Sequence, residues 1–179
     1  MQSSPPRKAS FPPVTDARTR VLICGSLPGE RSLAARQYYA HPQNQFWRLI
    51  AAVIDRADLP TLPYEARLAA LLEARIGLWD AVGSATRTGS SDAAIADVEA
   101  NDLATLAASL PDLAAIAFNG ATAHRLGLRQ LGAAAQRWTV LALPSSSPLH
   151  TIGIAAKLPA WLALRAILAA TPPVRRAAD

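Results

Sequence analysis

Four short apolar runs constrain this chain more than any other feature: Val21–Cys24, Ile76–Trp79, Leu113–Phe118 and Thr139–Leu143. Each is too short for an ordinary helix and is bounded by loop residues, which reads as a strand buried on both faces. Between them lie stretches with helical character. Asn44–Ile54 sets Phe46, Leu49, Ile50 and Val53 on one face. Tyr64–Ala74, Ala121–Leu131 and Ala155–Leu168 follow, and Asn101-Asp102 caps a further helix running to Leu110. Strands alternating with helices predict an α/β fold with a parallel sheet covered on both faces.

The length of 179 residues suits one domain with a sizeable core. We expect one folded domain over 20–170, a flexible N-terminal arm over 1–19 with Pro5-Pro6 and Pro12-Pro13, and a tail over 171–179. The single cysteine, Cys24, excludes a disulfide within the chain and fits a reducing compartment. One cysteine and three scattered histidines offer no metal-ligand spacing, so no metal site is expected. The net charge of +5 and pI near 10.1 suit a phosphate backbone, and equally suit a solvated surface. The polar, proline-rich start has no signal-peptide core. The apolar run Leu158–Ala170 contains Arg165 and falls short of the roughly 20 residues a bilayer span needs. A soluble, cytoplasmic monomer without membrane contact is the expectation.

In parallel sheets ligands bind beyond the carboxyl ends of the strands. That singles out the loops 25–44, 80–92, 119–120 and 144–150. The first contains Gly25-Ser26-Leu27-Pro28-Gly29 and Tyr38-Tyr39-Ala40-His41-Pro42-Gln43-Asn44-Gln45-Phe46-Trp47. Its glycines allow close backbone approach, and adjacent tyrosines offer flat faces for a base. Asn44 sits at a helix start, where it is either a cap or a holder of water. Asp80 closes the second strand, either capping a turn or accepting from a ring N–H with Arg87 as its charge partner. Asn119-Gly120 opens a helix after the third strand, as a cap or an anion contact. Pro144-Ser145-Ser146-Ser147-Pro148-Leu149-His150 is either an ordinary turn or a rigid phosphate-holding loop.

Together these segments resemble a known family. Gly25 to Trp47 is similar to the first motif of mismatch-specific uracil/thymine-DNA glycosylases, and the Pro-Ser-Ser-Ser loop to their second. Adding Leu78-Trp79-Asp80 and Phe118-Asn119-Gly120, the set most resembles the hypoxanthine-DNA glycosylase branch of the uracil-DNA glycosylase superfamily, over about residues 20–170. Leu27 and Leu143 stand where other branches place asparagine or histidine. The resemblance implies a three-layer αβα sandwich with a central four-stranded parallel sheet, no cofactor, and hydrolytic removal of a deaminated base from double-stranded DNA. It assigns catalysis to Asn44. It places the base against Gly25, Ser26, Leu27, Tyr38, Tyr39, Phe46, Asp80 and Asn119. The DNA falls to Ser145, Ser146, Ser147, Pro148, Leu149 and His150, with Leu149 or His150 filling the vacated stack.

Three rival readings remain at this level. Uracil rather than hypoxanthine is one substrate alternative. A serine hydrolase built from Ser146, His150 and Asp80 is another, although the chain has no Gly-x-Ser-x-Gly elbow. A non-catalytic nucleic-acid-binding module is the third.

Overall fold

Alternation along β2 (Val21–Gly25) sets the layering. Val21 and Ile23 enter one apolar layer, Leu22 and Cys24 the other, and every residue of the strand is buried. β6 (Ala115–Asn119) repeats the pattern, with Ala115 and Ala117 in the first layer and Ile116 and Phe118 in the second. In the computed structural model, which describes residues 5–171, these are the two central strands. β3 (Ile76–Asp80) and β7 (Thr139–Leu143) flank them, giving an all-parallel sheet of order β3-β2-β6-β7. The four apolar runs of the sequence are these four strands.

Helices α2 (Phe46–Val53), α3 (Tyr64–Glu73), α6 (Ile154–Leu162) and α7 (Leu164–Ala169) fill the first layer; α4 (Leu103–Ser109) and α5 (Ala121–Leu131) fill the second. The result is the expected three-layer αβα sandwich. Gly127 lets α5 lie directly on the sheet, since a Cβ there would fall 1.9 Å from the Phe118 ring. The stretch expected as one helix over Ala155–Leu168 is two, meeting at Ala163.

The departures lie outside this sheet. A short helix, α1 (Glu30–Ala35), interrupts the first long loop. A second, antiparallel sheet of order β1-β4-β5 joins β1 (Arg7–Ala9), β4 (Val82–Thr86) and β5 (Ala96–Ala100). Part of the 80–92 loop is therefore strand. The segment expected as a flexible arm is instead docked where it is described. Arg7–Ala9 pairs with Ser84–Thr86, and Val14 exchanges two backbone hydrogen bonds of 2.9 Å with Leu78. Val14 thus covers the outer edge of β3, which would otherwise present unpaired backbone groups. Residues 1–4 of the expected arm and 172–179 of the expected tail lie outside the described residues. No helix among the described residues is long and apolar enough to cross a membrane.

Candidate active site

A cavity of about 410 Å³ opens at the carboxyl ends of the parallel strands, inside the range of about 300–1,000 Å³ usual for small-molecule sites. Its wall combines Gly25, Ser26, Leu27, Tyr38, Tyr39 and Asn44 with Asp80, Asn119 and the whole of Ser145–His150. Segments more than a hundred residues apart are brought together because all four parallel strands end at this rim. Of the residues expected to bind the base, Phe46 alone stays off the wall. It is fully buried and stacks beneath Tyr39, with ring centroids 3.9 Å apart and planes at 15°. It backs the pocket rather than lining it, because it opens α2 and that helix turns its apolar face to the sheet.

Asn44 precedes α2 rather than starting it. Its Oδ1 accepts the backbone N–H of Phe46 at 2.9 Å, an Asx turn made one position before Gln45, the N-cap of α2. Its Nδ2 has no hydrogen bond among the described residues, and the side chain lines the cavity. One end of the amide is anchored and the other is available. The next residue, Gln45, donates its N–H to the Ser146 carbonyl at 3.0 Å, locking the first loop to the last.

Asp80 is buried at the tip of β3. Its Oδ2 accepts from the Ser10 hydroxyl at 2.7 Å. Burial raises its pKa to about 7; the Ser10 hydrogen bond opposes the rise, the Asp92 charge adds to it, and the Arg87 charge opposes it. Arg87, expected as the direct partner, does not pair with it. The Arg87 guanidinium donates instead to the carbonyls of Leu27 (3.3 Å) and Pro28, fixing the glycine loop from below. It is turned that way because β4 carries it past Asp80 to the underside of that loop. Asp92 also holds the glycine loop, accepting from Ser26 Oγ at 2.6 Å.

The serine loop is held from three sides. Asn119 Nδ2 donates to Ser146 Oγ and Asn119 Oδ1 accepts from Ser146 N, both at 2.8 Å. Asn119 is therefore a clamp and not the cap of α5, whose first flanking residue is Gly120. Lys157 Nζ donates to the Ser147 carbonyl at 3.3 Å and Trp161 Nε1 to the Pro144 carbonyl at 3.0 Å. Leu149 projects from the rim at 66% exposure, and Ile152 beside it at 52%. The hydrolase triad is not assembled: Ser146 is buried in its bonds to Asn119, and His150 is exposed with no side-chain hydrogen bond to Ser146 or Asp80.

Sequence reasoning missed Ser10, Lys157 and Ile152. Only Ile152 carried a local signal, an apolar residue beside a glycine in a polar loop. Ser10 lies 70 residues from its partner, a distance no local pattern spans.

The family model described as the uracil DNA glycosylase superfamily matches residues 12–165 of the chain. A protein of Methanosarcina acetivorans named hypoxanthine DNA glycosylase is 42% identical over 142 residues, 78% of this chain and 86% of that protein. One of the same name from Methanosarcina barkeri is 45% identical over 114 residues, 64% of this chain and 72% of that one. Among solved structures, the solution NMR structure of a Methanosarcina acetivorans protein, described as a candidate uracil DNA glycosylase, superposes with a TM-score of 0.78 at 38% identity. That match covers 90% of this chain and 99% of the other.

Proposed function

The chain belongs to the uracil DNA glycosylase superfamily, and we propose that it is a monofunctional DNA glycosylase that hydrolyses a deaminated base, hypoxanthine foremost, from double-stranded DNA. The observation that carries this reading is the convergence of Asn44, Asp80, Tyr39 and the serine loop on one base-sized cavity. The hypoxanthine preference draws on the names of the two relatives. A lone buried Cys24 suits a reducing cytoplasm.

A base inside a duplex is out of reach, so the nucleotide must be extruded at a few kcal/mol, less when it is mispaired. Leu149, the more exposed of the two apolar side chains at the rim, fills the gap. The serine loop, stiffened by two prolines and its clamp, contacts the flanking phosphates through the Ser145 and Ser147 hydroxyls, which accept the Ser147 and Leu149 N–H groups and keep their own protons to donate. The base enters against Tyr39, whose ring Phe46 supports from behind. Cleavage builds positive charge on the sugar and negative charge on the departing base. Asn44 places water beneath the sugar carbon; an amide is a poor base, so its contribution is orientation and electrostatics.

Labelled duplexes carrying one inosine, uracil or xanthine, cleaved at the abasic product with alkali, test the activity. Asn44→Ala is expected to lose at least about 100-fold in single-turnover rate, a barrier change of about 2.7 kcal/mol, with DNA binding retained. A loss under about tenfold would leave Asn44 its Asx turn only.

A further inference from the structure

The Asp80 carboxylate has two oxygens in different surroundings. Oδ2 takes the Ser10 hydroxyl at 2.7 Å. Oδ1 faces Gly25, only 2.7 Å from where a Cβ would stand, so any side chain at position 25 would displace it. The same point is 3.2 Å from the Tyr39 hydroxyl, which is buried beside the Asn119 amide, itself only a donor there, and donates its own proton to no group among the described residues. A buried hydroxyl left unpaired costs about 1–3 kcal/mol, and a polar ligand in this corner would relieve it. The corner thus offers a free acceptor, Oδ1, beside a free donor, the Tyr39 O–H.

Ser10 is fixed independently of Asp80. Its backbone N–H donates to the Gly83 carbonyl at 2.8 Å. The residues after it are held as well, since Trp79 Nε1 donates to the Phe11 carbonyl and the Tyr38 hydroxyl to the Pro12 carbonyl. The Ser10 hydroxyl has one proton, and the Phe11 carbonyl at 3.2 Å and the neighbouring Tyr38 hydroxyl are its alternative acceptors. With Asp80 ionised the proton goes to Oδ2. With Asp80 protonated on Oδ2, the carboxyl donates and the serine proton turns to one of these acceptors.

We propose that Ser10 is a positioning residue for base selection: it pins Oδ2 of Asp80 so that Oδ1 and the Tyr39 hydroxyl together read a ring N–H next to a carbonyl. This rests on the cavity being the base pocket. Hypoxanthine, uracil and xanthine all present that lactam edge. Adenine and cytosine present the reverse, a ring lone pair beside an amino group, which sets lone pair against Oδ1. Deamination is the conversion of the second edge into the first, so the pair recognises the lesion class by its chemistry. Guanine and thymine share the lactam edge, so the pair sorts deaminated bases from their amino parents only.

The charged and titratable groups acting on Asp80 are Cys24 on β2, Tyr38 and Tyr39 on the first loop, Arg87 after β4 and Asp92 before β5, and the same cavity is also lined by Glu30, Arg31, His41 and His150. Cys24 and both tyrosines are pushed up by burial and by the Asp80 charge, so they stay neutral across the assay range. The test measures single-turnover release from a single-stranded inosine oligonucleotide between pH 5.5 and 9.5, chosen on the order of the range around the carboxyl's titration. Wild type, Ser10→Ala, Ser10→Thr and Tyr39→Phe are compared, with Asp92→Asn as a background control. The wild-type rate should rise with pH as Asp80 ionises. Ser10→Ala removes a bond that favours the anion, so its limb should move to higher pH, with about a fivefold loss at pH 7 recovered by pH 9.5. Ser10→Thr should restore the profile. Tyr39→Phe should lower the rate at every pH without moving the limb, and the Ser10 effect should persist with Asn at 92. A pH-independent loss in Ser10→Ala, or none, overturns the proposal. Wild type that releases no base from any lesion refutes the function instead. The ¹³C titration of the Asp80 carboxyl then still decides the contact, and equal midpoints in wild type and Ser10→Ala overturn it.

Discussion

The two sheets of this protein are built on opposite terms. The parallel sheet is apolar throughout: both central strands are buried along their whole length, and its two layers contain almost nothing but aliphatic and aromatic side chains. The antiparallel sheet is thin and wet. All five residues of β5 are exposed, and only Val82 and Ala85 of β4 are buried. The rim of the parallel sheet nevertheless carries two buried polar residues, Asp80 at the end of β3 and Asn119 at the end of β6. The polar groups that act on Asp80 come from the second sheet: Ser10 follows β1, and Arg87 and Asp92 follow β4. One sheet supplies stability and the rim; the other supplies the polar neighbours that set the state of the buried carboxyl.

That contrast can be broken at four points. Asp80 is the sharpest. Its folded pKa near 7 lies above the usual carboxylate value of 3.8, so the folded state binds its proton more tightly. Stability is then full below about pH 4 and lost as pH rises through 7, by up to about 4 kcal/mol. Asp80→Asn should accordingly raise the urea midpoint at pH 8 by about 2–4 kcal/mol equivalent and leave it unchanged near pH 4. A gain that is the same at both pH values would show that Asp80 does not titrate as described. In the apolar layer between α5 and β6 the sign reverses. Gly127→Ala forces a methyl into the Phe118 ring and should cost about 2–3 kcal/mol at every pH, read as a lower urea midpoint with unchanged slope.

Arg87→Met comes next. It leaves the Leu27 and Pro28 carbonyls without their donor, at about 1–2 kcal/mol. The glycine loop should loosen and base release should fall about tenfold, while amide exchange in β2 and β6 stays slow. Faster exchange in those strands would mean the two sheets are one cooperative unit. The smallest effect belongs to Val98→Lys on exposed β5, expected within about 0.5 kcal/mol of wild type by thermal melting.

The parallel sheet was legible because burial on two faces leaves a local trace. A strand such as Val21–Gly25 must be apolar at every position, and no neighbour is needed to see it. The second sheet left no such trace. β5 reads Ala-Asp-Val-Glu-Ala and β1 Arg-Lys-Ala, and three paired residues carry no pattern. The first segment even resembled a linker, since its prolines suit an edge as well as a coil. At the site, the motif residues were readable by type, and the cavity gathered all of them but Phe46. Their partners were not readable. Arg87 was the obvious charge for Asp80, and Ser10 took the place.

The sequence by itself determined the layered fold and which loops gather at the strand ends, because periodicity and glycine or proline punctuation act over a few residues. Only the tertiary structure decided how each polar group is satisfied. A buried carboxylate, amide or guanidinium takes whichever donor or acceptor folding brings within about 3 Å. For Asp80 and Ser10, for Asn119 and Ser146, and for Arg87 and Leu27, that neighbour comes from a distant part of the chain.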